Sequence, residues 1–221
     1  MKRLRKHCEK IGNPKIRFFH CGEYGDQYKR PHYHALVFGY DVPDRKVWKM
    51  SNDIPVYSSA TLDSIWGHGA TYVGDITWES AAYVARYTMK KVNGKKAQKI
   101  DEETGLKHYE RICPYTLQIH EVDPEYATQS NGLGKTHYDK YRSDIYPWDE
   151  VIVNGYPQRP PRYYDKLFEQ QEPEAMETIR RLRCSNMEKH LSDNIRRRLR
   201  TKETVKIAQT TRLKRNEEHI Q

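Results

Sequence analysis

The sequence predicts an α+β domain in which helices pack mainly on one face of an antiparallel sheet, with a basic C-terminal helical extension after it. Apolar residues recur at helical spacing at the N-terminus, and two strand-like runs separated by a short polar loop follow. The last 46 residues carry 13 Lys or Arg against six Asp or Glu, with only a thin apolar stripe. Because strands neighbouring in sequence usually pair, these observations favour a small antiparallel sheet covered by helices.

The N-terminal elements follow one another without long connections. Leu4, Cys8 and Ile11 share one side of a helix over residues 1–11, which Gly12-Asn13-Pro14 ends. Residues 15–21 and 32–40 then read as strands, with a polar loop between them. An antiparallel hairpin of these two strands is predicted.

A histidine pair lies in the second strand. His32 and His34 are two apart, so their side chains point to the same face, and the hairpin brings Glu23 close to them. Two imidazoles and a carboxylate form a plausible three-ligand site for a divalent metal such as Mg²⁺ or Mn²⁺. An H-x-H pair alone is a weak signal, and two ordinary strand histidines are the alternative.

A tyrosine pair lies in the next strongly helical stretch, residues 78–92, for which Thr77 is the expected N-cap. Tyr83 and Tyr87 are four apart and therefore share a helix face. Three cations are on or beside that face: Arg86, Lys90 and Lys91. A phenolate can attack a phosphodiester, and a lysine can lower the phenol's pKa or offset developing negative charge. For an isolated Y-x3-Y pair, a half-buried aromatic stripe is the alternative interpretation.

The remaining segments are less distinctive. Residues 93–107 read as a charged surface loop, and residues 115–122 as the last strand of the core. The basic segment 176–221 is either a solvated helix or a DNA-binding arm, and the pattern does not separate the two.

Composition favours a polyanion as partner. The net charge is +9 and the pI about 9.2, so nucleic acid is the first candidate and an anionic membrane surface the second. The chain has 17 tyrosines and only 4 phenylalanines, which suits rings that stack on unpaired bases. No run of about 18 apolar residues occurs, so no membrane span is predicted. Four widely spaced cysteines fit a reducing cytoplasm.

Five motifs together resemble one protein family: GEYG, RPHYHALVFG, AAYVARYTMKK, IYPWDEVIVNG and PPRYYDKLF. They resemble the replication initiator (Rep) proteins of gokushovirus-type Microviridae phages, which belong to the HUH endonuclease superfamily. The resemblance implies that His32 and His34 are metal ligands, that Tyr83 and Tyr87 are the nicking tyrosines, and that Lys90 is the helix lysine. Glu23 as third ligand comes from its proximity in the chain and not from the resemblance.

The resemblance also implies a domain organisation. Residues 1–170 would form the HUH-type endonuclease domain, and residues 171–221 a basic tail that is helical or disordered. Relatives of this kind carry one more apolar strand ahead of the segment that begins here at Met1. This domain is therefore expected to lack its first strand, either because the start is internal or because the chain is a truncated form.

The expected activity follows from the family. Such a protein nicks and rejoins circular single-stranded phage DNA at its replication origin through a 5′-phosphotyrosyl intermediate, which starts and ends rolling-circle replication. The resemblance implies a host DNA polymerase and a host helicase as partners, the cytoplasm of the bacterial host as location, and no membrane. Two alternatives stay open: another HUH enzyme, such as a relaxase or transposase, and a non-catalytic DNA-binding protein.

Overall fold

The computed structural model describes residues 1–13, 15–25, 28–51, 53–89, 91–146 and 148–212. The chain divides into two compact units, Met1–Leu133 and Gly134–Gln221. Helices and small antiparallel sheets make up both units, so the α+β prediction is confirmed. The predicted boundary at 170/171 falls inside the second unit, and the extent of a nicking domain stays a prediction.

The first unit alternates short strands and short helices. Its elements in chain order are α1 (Lys2–Lys10), β1 (Arg17–Tyr24), β2 (Pro31–Phe38), β3 (Lys46–Ser51), β4 (Ile54–Ser58), α2 (Ala60–Trp66), β5 (Tyr72–Val73), α3 (Trp78–Arg86) with a 3₁₀ turn (Tyr87–Met89), α4 (Lys95–Gln98), β6 (Glu110–Ile112), β7 (Ile119–Glu121) and β8 (Tyr126–Gln129).

The main sheet has the order β2-β1-β8 and is antiparallel throughout. The predicted hairpin of β1 and β2 is confirmed, with pairs running from Arg17 opposite Phe38 to Tyr24 opposite Pro31. The third strand corrects a prediction, because β8 and not the segment 115–122 pairs with β1. β7 lies within that segment and pairs instead with β6. β8 is exposed at all four positions, so it lacks the apolar alternation that marks a strand in a sequence.

Helix α1 is amphipathic as predicted. Leu4 and Cys8 are buried and form a cluster with Ile16. Ile11 lies past the end of the helix, at its C-cap, and is 54% exposed, contrary to its predicted place on the apolar stripe.

A second sheet has the order β3-β4-β5. Its β3–β4 ladder shifts register between Val47 and Lys49, which leaves Trp48 in a bulge. None of the described residues in these three strands is buried, so this sheet contributes little to the core.

The second unit is built around helices. Its elements are α5 (Lys135–Ile145), β9 (Val151–Val153), β10 (Tyr156–Gln158), α6 (Arg162–Gln171), α7 (Pro173–Glu188), a 3₁₀ turn (Leu191–Asn194) and α8 (Arg196–Arg212). Its core is mainly aromatic and includes Tyr138, Tyr146 and Phe168, with the last two rings stacked at 3.9 Å between centroids. Met176 and Ile179 of α7 are buried in the same core, so part of the predicted tail belongs to a packed unit.

One arginine ties three elements of this unit together. The guanidinium of Arg183 donates hydrogen bonds to both carboxylate oxygens of Asp149 and of Asp165. These contacts raise the pKa of Arg183 further above its usual range. Burial alone would raise the pKa of Asp165, but the hydrogen bonds and charge of Arg183 outweigh it and lower that pKa.

The predicted basic extension is helical as far as Arg212. The apolar residues expected to form its stripe are exposed, Leu199 at 49% and Val205 at 51%. Asp193 pairs with Arg198 and Lys202 at the start of α8, and hydrogen bonds from those two cations lower the pKa of Asp193 to about 2. Among the described residues, no helix combines the length and apolar character needed to cross a bilayer.

Candidate active site

The site begins with the register of β1 and β2. Glu23 is paired with His32, and Cys21 with His34. Paired residues in an antiparallel ladder point to the same side, as do alternate residues of one strand. Glu23, His32 and His34 therefore share one face of the sheet, as the sequence predicted.

Glu23 and His34 are in direct contact. The Nε2 atom of His34 lies 3.2 Å from Oε1 of Glu23, which is hydrogen-bond distance. Glu23 is only 3% exposed, so its carboxylate needs a polar partner in this position. The imidazole of His34 is consequently held in a defined orientation.

Helix α3 places the two tyrosines against the same histidine. Tyr87 stacks on the His34 ring with centroids 4.1 Å apart and planes at 9°. Tyr83 meets that ring edge-on at 6.1 Å. The hydroxyl of Tyr87 donates a hydrogen bond to the hydroxyl of Tyr83. The structure therefore brings together three residues from two elements that are about 50 positions apart in sequence.

The local structure of α3 explains this placement. Thr77 is its N-cap, as predicted, and forms a capping box in which Thr77 Oγ1 accepts from the Ser80 N–H at 3.2 Å and Ser80 Oγ accepts from the Thr77 N–H at 2.8 Å. The helix is shorter than predicted, since it ends at Arg86 and continues as a 3₁₀ turn. Val84 and Tyr87 are buried against Cys21, which fixes the tyrosine face toward β1 and β2.

The three predicted metal ligands are not equally close together. His32 faces the same side, but its ring packs against Gly25 near the hairpin loop, and the residue is exposed. Within the part of the chain that the structure describes, no three His, Cys, Asp or Glu side chains are grouped as metal ligands would be. The chemistry of the donor set and the strand register fit a divalent cation, and the metal assignment stays a prediction.

The predicted cations are placed only in part. Lys90 lies outside the described residues. Arg86 is half-buried, and its guanidinium carbon is 5.7 Å from the centroid of the Tyr83 ring. At that distance its charge interacts favourably with the ring face.

Two residues near the site were not predicted from the sequence. The buried hydroxyl of Tyr109 accepts a hydrogen bond from the Val92 N–H at 2.9 Å and donates to Oε2 of Glu125 at 2.6 Å. Burial and the hydrogen bond to Glu125 raise the pKa of Tyr109 to about 12. This network anchors the backbone just after the tyrosine helix. No sequence spacing links residues 92, 109 and 125, so only the fold reveals it.

Cys21 lies under the same helix. Burial, together with the charge of Glu23, raises the pKa of the Cys21 thiol to about 11. The thiol therefore stays protonated at neutral pH and packs as a small apolar group.

These elements define a class of site: a carboxylate and a histidine pair on one strand face, opposite two tyrosines on a helix. Residues 1–92, which contain nearly all of it, match the family model of the replication-associated protein ORF2 family. The family resemblance that the motifs predict is confirmed by this match and by the relatives described next.

Three phage proteins are similar to the chain. It is 28% identical over 176 residues to Replication-associated protein ORF2 of Spiroplasma virus 4, covering 77% of this chain and 49% of that protein. It is 29% identical to Replication-associated protein VP4 of Bdellovibrio phage phiMH2K, covering 78% and 49%. It is 28% identical to Replication-associated protein ORF4 of Chlamydia phage 1, covering 76% and 39%. The chain thus spans half or less of the length of these relatives. No solved structure matches it significantly.

Proposed function

We propose that the chain acts in phage DNA replication as an endonuclease that nicks and rejoins circular single-stranded DNA. The observation that carries this proposal is the contact of His34 with both Tyr83 and Tyr87. Similarity to three phage replication-associated proteins supports the choice of phage DNA as substrate.

The chemistry assigned to the tyrosines is a transesterification. The hydroxyl oxygen of Tyr83 or Tyr87 forms a bond to the phosphorus, and the bond from phosphorus to the 3′ oxygen breaks. The tyrosine loses its proton, the leaving 3′ oxygen gains one, and a 5′-phosphotyrosyl link remains. Because one ester replaces another, the strand can be rejoined without an external energy source.

The second tyrosine has a role in ending the reaction. While one phenol is esterified, the other can attack the regenerated junction. The hydrogen bond between the two hydroxyls supports this role, because both phenols then reach the same small region. The released 3′-hydroxyl is the end that a host DNA polymerase would extend, and a host helicase would open the strands in the cytoplasm of the bacterial host.

The residues that would hold a divalent cation are Glu23, His32 and His34. Mg²⁺ or Mn²⁺ bound there would act as a Lewis acid toward the scissile phosphate. The buried carboxylate of Glu23 orients His34, and the His34 ring supports Tyr87 through their stacked contact. Lys90 and Arg86 are the cations that would offset negative charge on the phosphate or the phenol.

The test is adduct formation. Labelled single-stranded DNA from the cognate replicon is incubated with the protein and Mn²⁺, and a denaturant-resistant protein–DNA adduct is measured. We expect adduct from the unchanged protein, none from the double variant Tyr83→Phe/Tyr87→Phe, and a loss of about a hundredfold in His34→Ala, the upper end of what removal of a metal-site residue costs. Tyr115→Phe, at a tyrosine that is 92% exposed, is the matched control and should retain full activity.

DNA affinity separates the alternatives. A nicking enzyme keeps its affinity for DNA when both tyrosines are replaced by phenylalanine. A folded protein that binds DNA but forms no adduct under any of these conditions is the non-catalytic DNA-binding protein, and that result would overturn the proposal.

A further inference from the structure

The β3-β4-β5 sheet carries an exposed aromatic pair outside the candidate active site. Trp48 of β3 and Tyr72 of β5 have ring centroids 4.3 Å apart, with planes at 35°. Trp48 is 43% exposed and Tyr72 is 48% exposed. Exposing two large rings is unfavourable in water, so a stack with this much open surface is suited to a ligand that covers it.

The bulge in β3 puts Trp48 in this position. The β3–β4 register shifts between Val47 and Lys49, so Trp48 has no partner residue in the ladder. A bulge redirects the side chain of the extra residue, and bulges are common next to functional sites. Tyr72 is paired with Ser58, which places it two strands away from Trp48 on the same sheet.

Positive charge accompanies the aromatic pair. The Nζ atom of Lys49 lies 4.4 Å from the centroid of the Trp48 ring. The same sheet carries Arg45 just before β3, with its guanidinium 4.9 Å from the centroid of the Tyr57 ring. A flat ring beside an ammonium group complements a ligand that combines a planar base with a phosphate.

We propose that Trp48 and Tyr72 form a platform on which unpaired bases of single-stranded DNA stack, with Lys49 contacting the adjacent phosphate. The choice of DNA over other planar anions rests on the proposed function. The net charge of +9 agrees with a polyanionic partner. The platform would hold the strand away from the tyrosines and so extend the bound length of DNA beyond the nicking site.

The test measures binding without chemistry. Fluorescence anisotropy in EDTA gives the Kd for a labelled oligothymidylate and for an abasic deoxyribose-phosphate oligomer of equal length and charge. We expect Trp48→Ala and Tyr72→Ala each to weaken oligothymidylate binding about tenfold, as for the loss of one stacked base. Binding of the abasic oligomer should change less than about twofold, and Trp48→Phe should retain most of the affinity.

Salt dependence and matched controls complete the design. Trp48→Ala removes no charge, so its slope of log affinity against log salt should equal that of the unchanged protein, whereas Lys49→Met should reduce the slope by about 0.7. Trp148→Ala, at a ring that is 75% exposed, and Tyr115→Ala control for loss of an exposed aromatic residue.

Three results would overturn the platform. The first is an equal effect of Trp48→Ala and Trp148→Ala, and the second is an equal loss of affinity for the abasic oligomer. The third is an equal loss for RNA or duplex DNA, which would mean that unpaired DNA bases are not the ligand. Because binding is measured without metal, failure here leaves the adduct assay unaffected, and failure of the adduct assay leaves the binding result standing.

Discussion

At the scale of single residues, the candidate site depends on how closely β1 approaches the His32 ring. A Cβ atom at Gly25 would lie 2.6 Å from Cε1 and 2.9 Å from Nδ1 of His32. Those distances are shorter than van der Waals contact, so glycine is what allows the ring its position. The absence of a side chain at residue 25 thus bears directly on the proposed metal ligand.

Gly25→Ala should displace His32 with little effect on stability, because the exposed ring can move into solvent. We expect the Mn²⁺ concentration for half-maximal adduct formation to rise about tenfold, the lower end of what loss of ligand support costs in metal affinity. Titration of Mn²⁺ in the adduct assay measures this. Gly74→Ala is the control, since nothing lies within 4 Å of its Cβ position. Equal behaviour of the two variants would contradict a role for His32.

Tyr109 gives a pH dependence with a defined sign. Its pKa is raised to about 12, so the folded state favours the protonated phenol. The stability it contributes is fully present below its ordinary pKa of about 10 and is lost as the pH rises through about 12. Tyr109→Phe should therefore be less stable than the unchanged protein at about pH 8, and the difference should shrink between about pH 10 and 12.

Urea unfolding at a series of pH values measures that difference, which is at most about 3 kcal/mol for a shift of about two pH units. Comparing the two proteins removes the contribution of lysines that titrate in the same range. A difference that stays constant from about pH 8 to about pH 12 would show that the phenol of Tyr109 is not the titrating group.

At the scale of elements, α3 is short, and its N-terminal cap carries much of its definition. The capping box of Thr77 and Ser80 satisfies backbone N–H groups that would otherwise lack partners. Thr77→Ala should lower the local stability of α3 by about 1 kcal/mol. Hydrogen exchange of the α3 amides measures it, and Thr77→Ser, which keeps a hydroxyl cap, should show less than half the effect. Equal losses in both variants would mean that the threonine methyl group, and not the cap, stabilises the helix.

At the scale of the whole molecule, two compact units carry different kinds of core. In the unit Gly134–Gln221, the half-buried Arg183 joins Asp149 and Asp165. Removing one member of such a network leaves uncompensated buried charge. Arg183→Met should therefore destabilise this unit by about 3 kcal/mol. Hydrogen exchange of the amides in α5, α6 and α7 measures that loss.

An exposed ion pair in the same unit supplies the comparison. Arg180 and Glu169 lie 2.7 Å apart, but their side chains are 45% and 42% exposed. Arg180→Met should cost no more than about 1 kcal/mol, because water screens the pair. A loss in Arg183→Met as small as that in Arg180→Met would show that the buried network contributes no more than a surface pair.

Much of the first unit could be predicted from the sequence, since its signals are local. The apolar spacing of α1, the β1–β2 hairpin and the Thr77 cap all depend on residues close to one another in the chain. The edge strand β8 could not be predicted. Its four residues are exposed, and it is defined by backbone pairing with β1, a partner about 100 positions away.

The sequence by itself determined which side chains carry the chemistry, because alternation along a strand and i, i+4 spacing on a helix place His32 with His34 and Tyr83 with Tyr87. Only the tertiary structure decided that the two pairs meet, that Glu23 lies at hydrogen-bond distance from His34, and that Tyr109 anchors the backbone after α3. The physical reason is that these contacts join residues on different elements. Their geometry is therefore fixed by packing between elements and not by the propensities of any one segment.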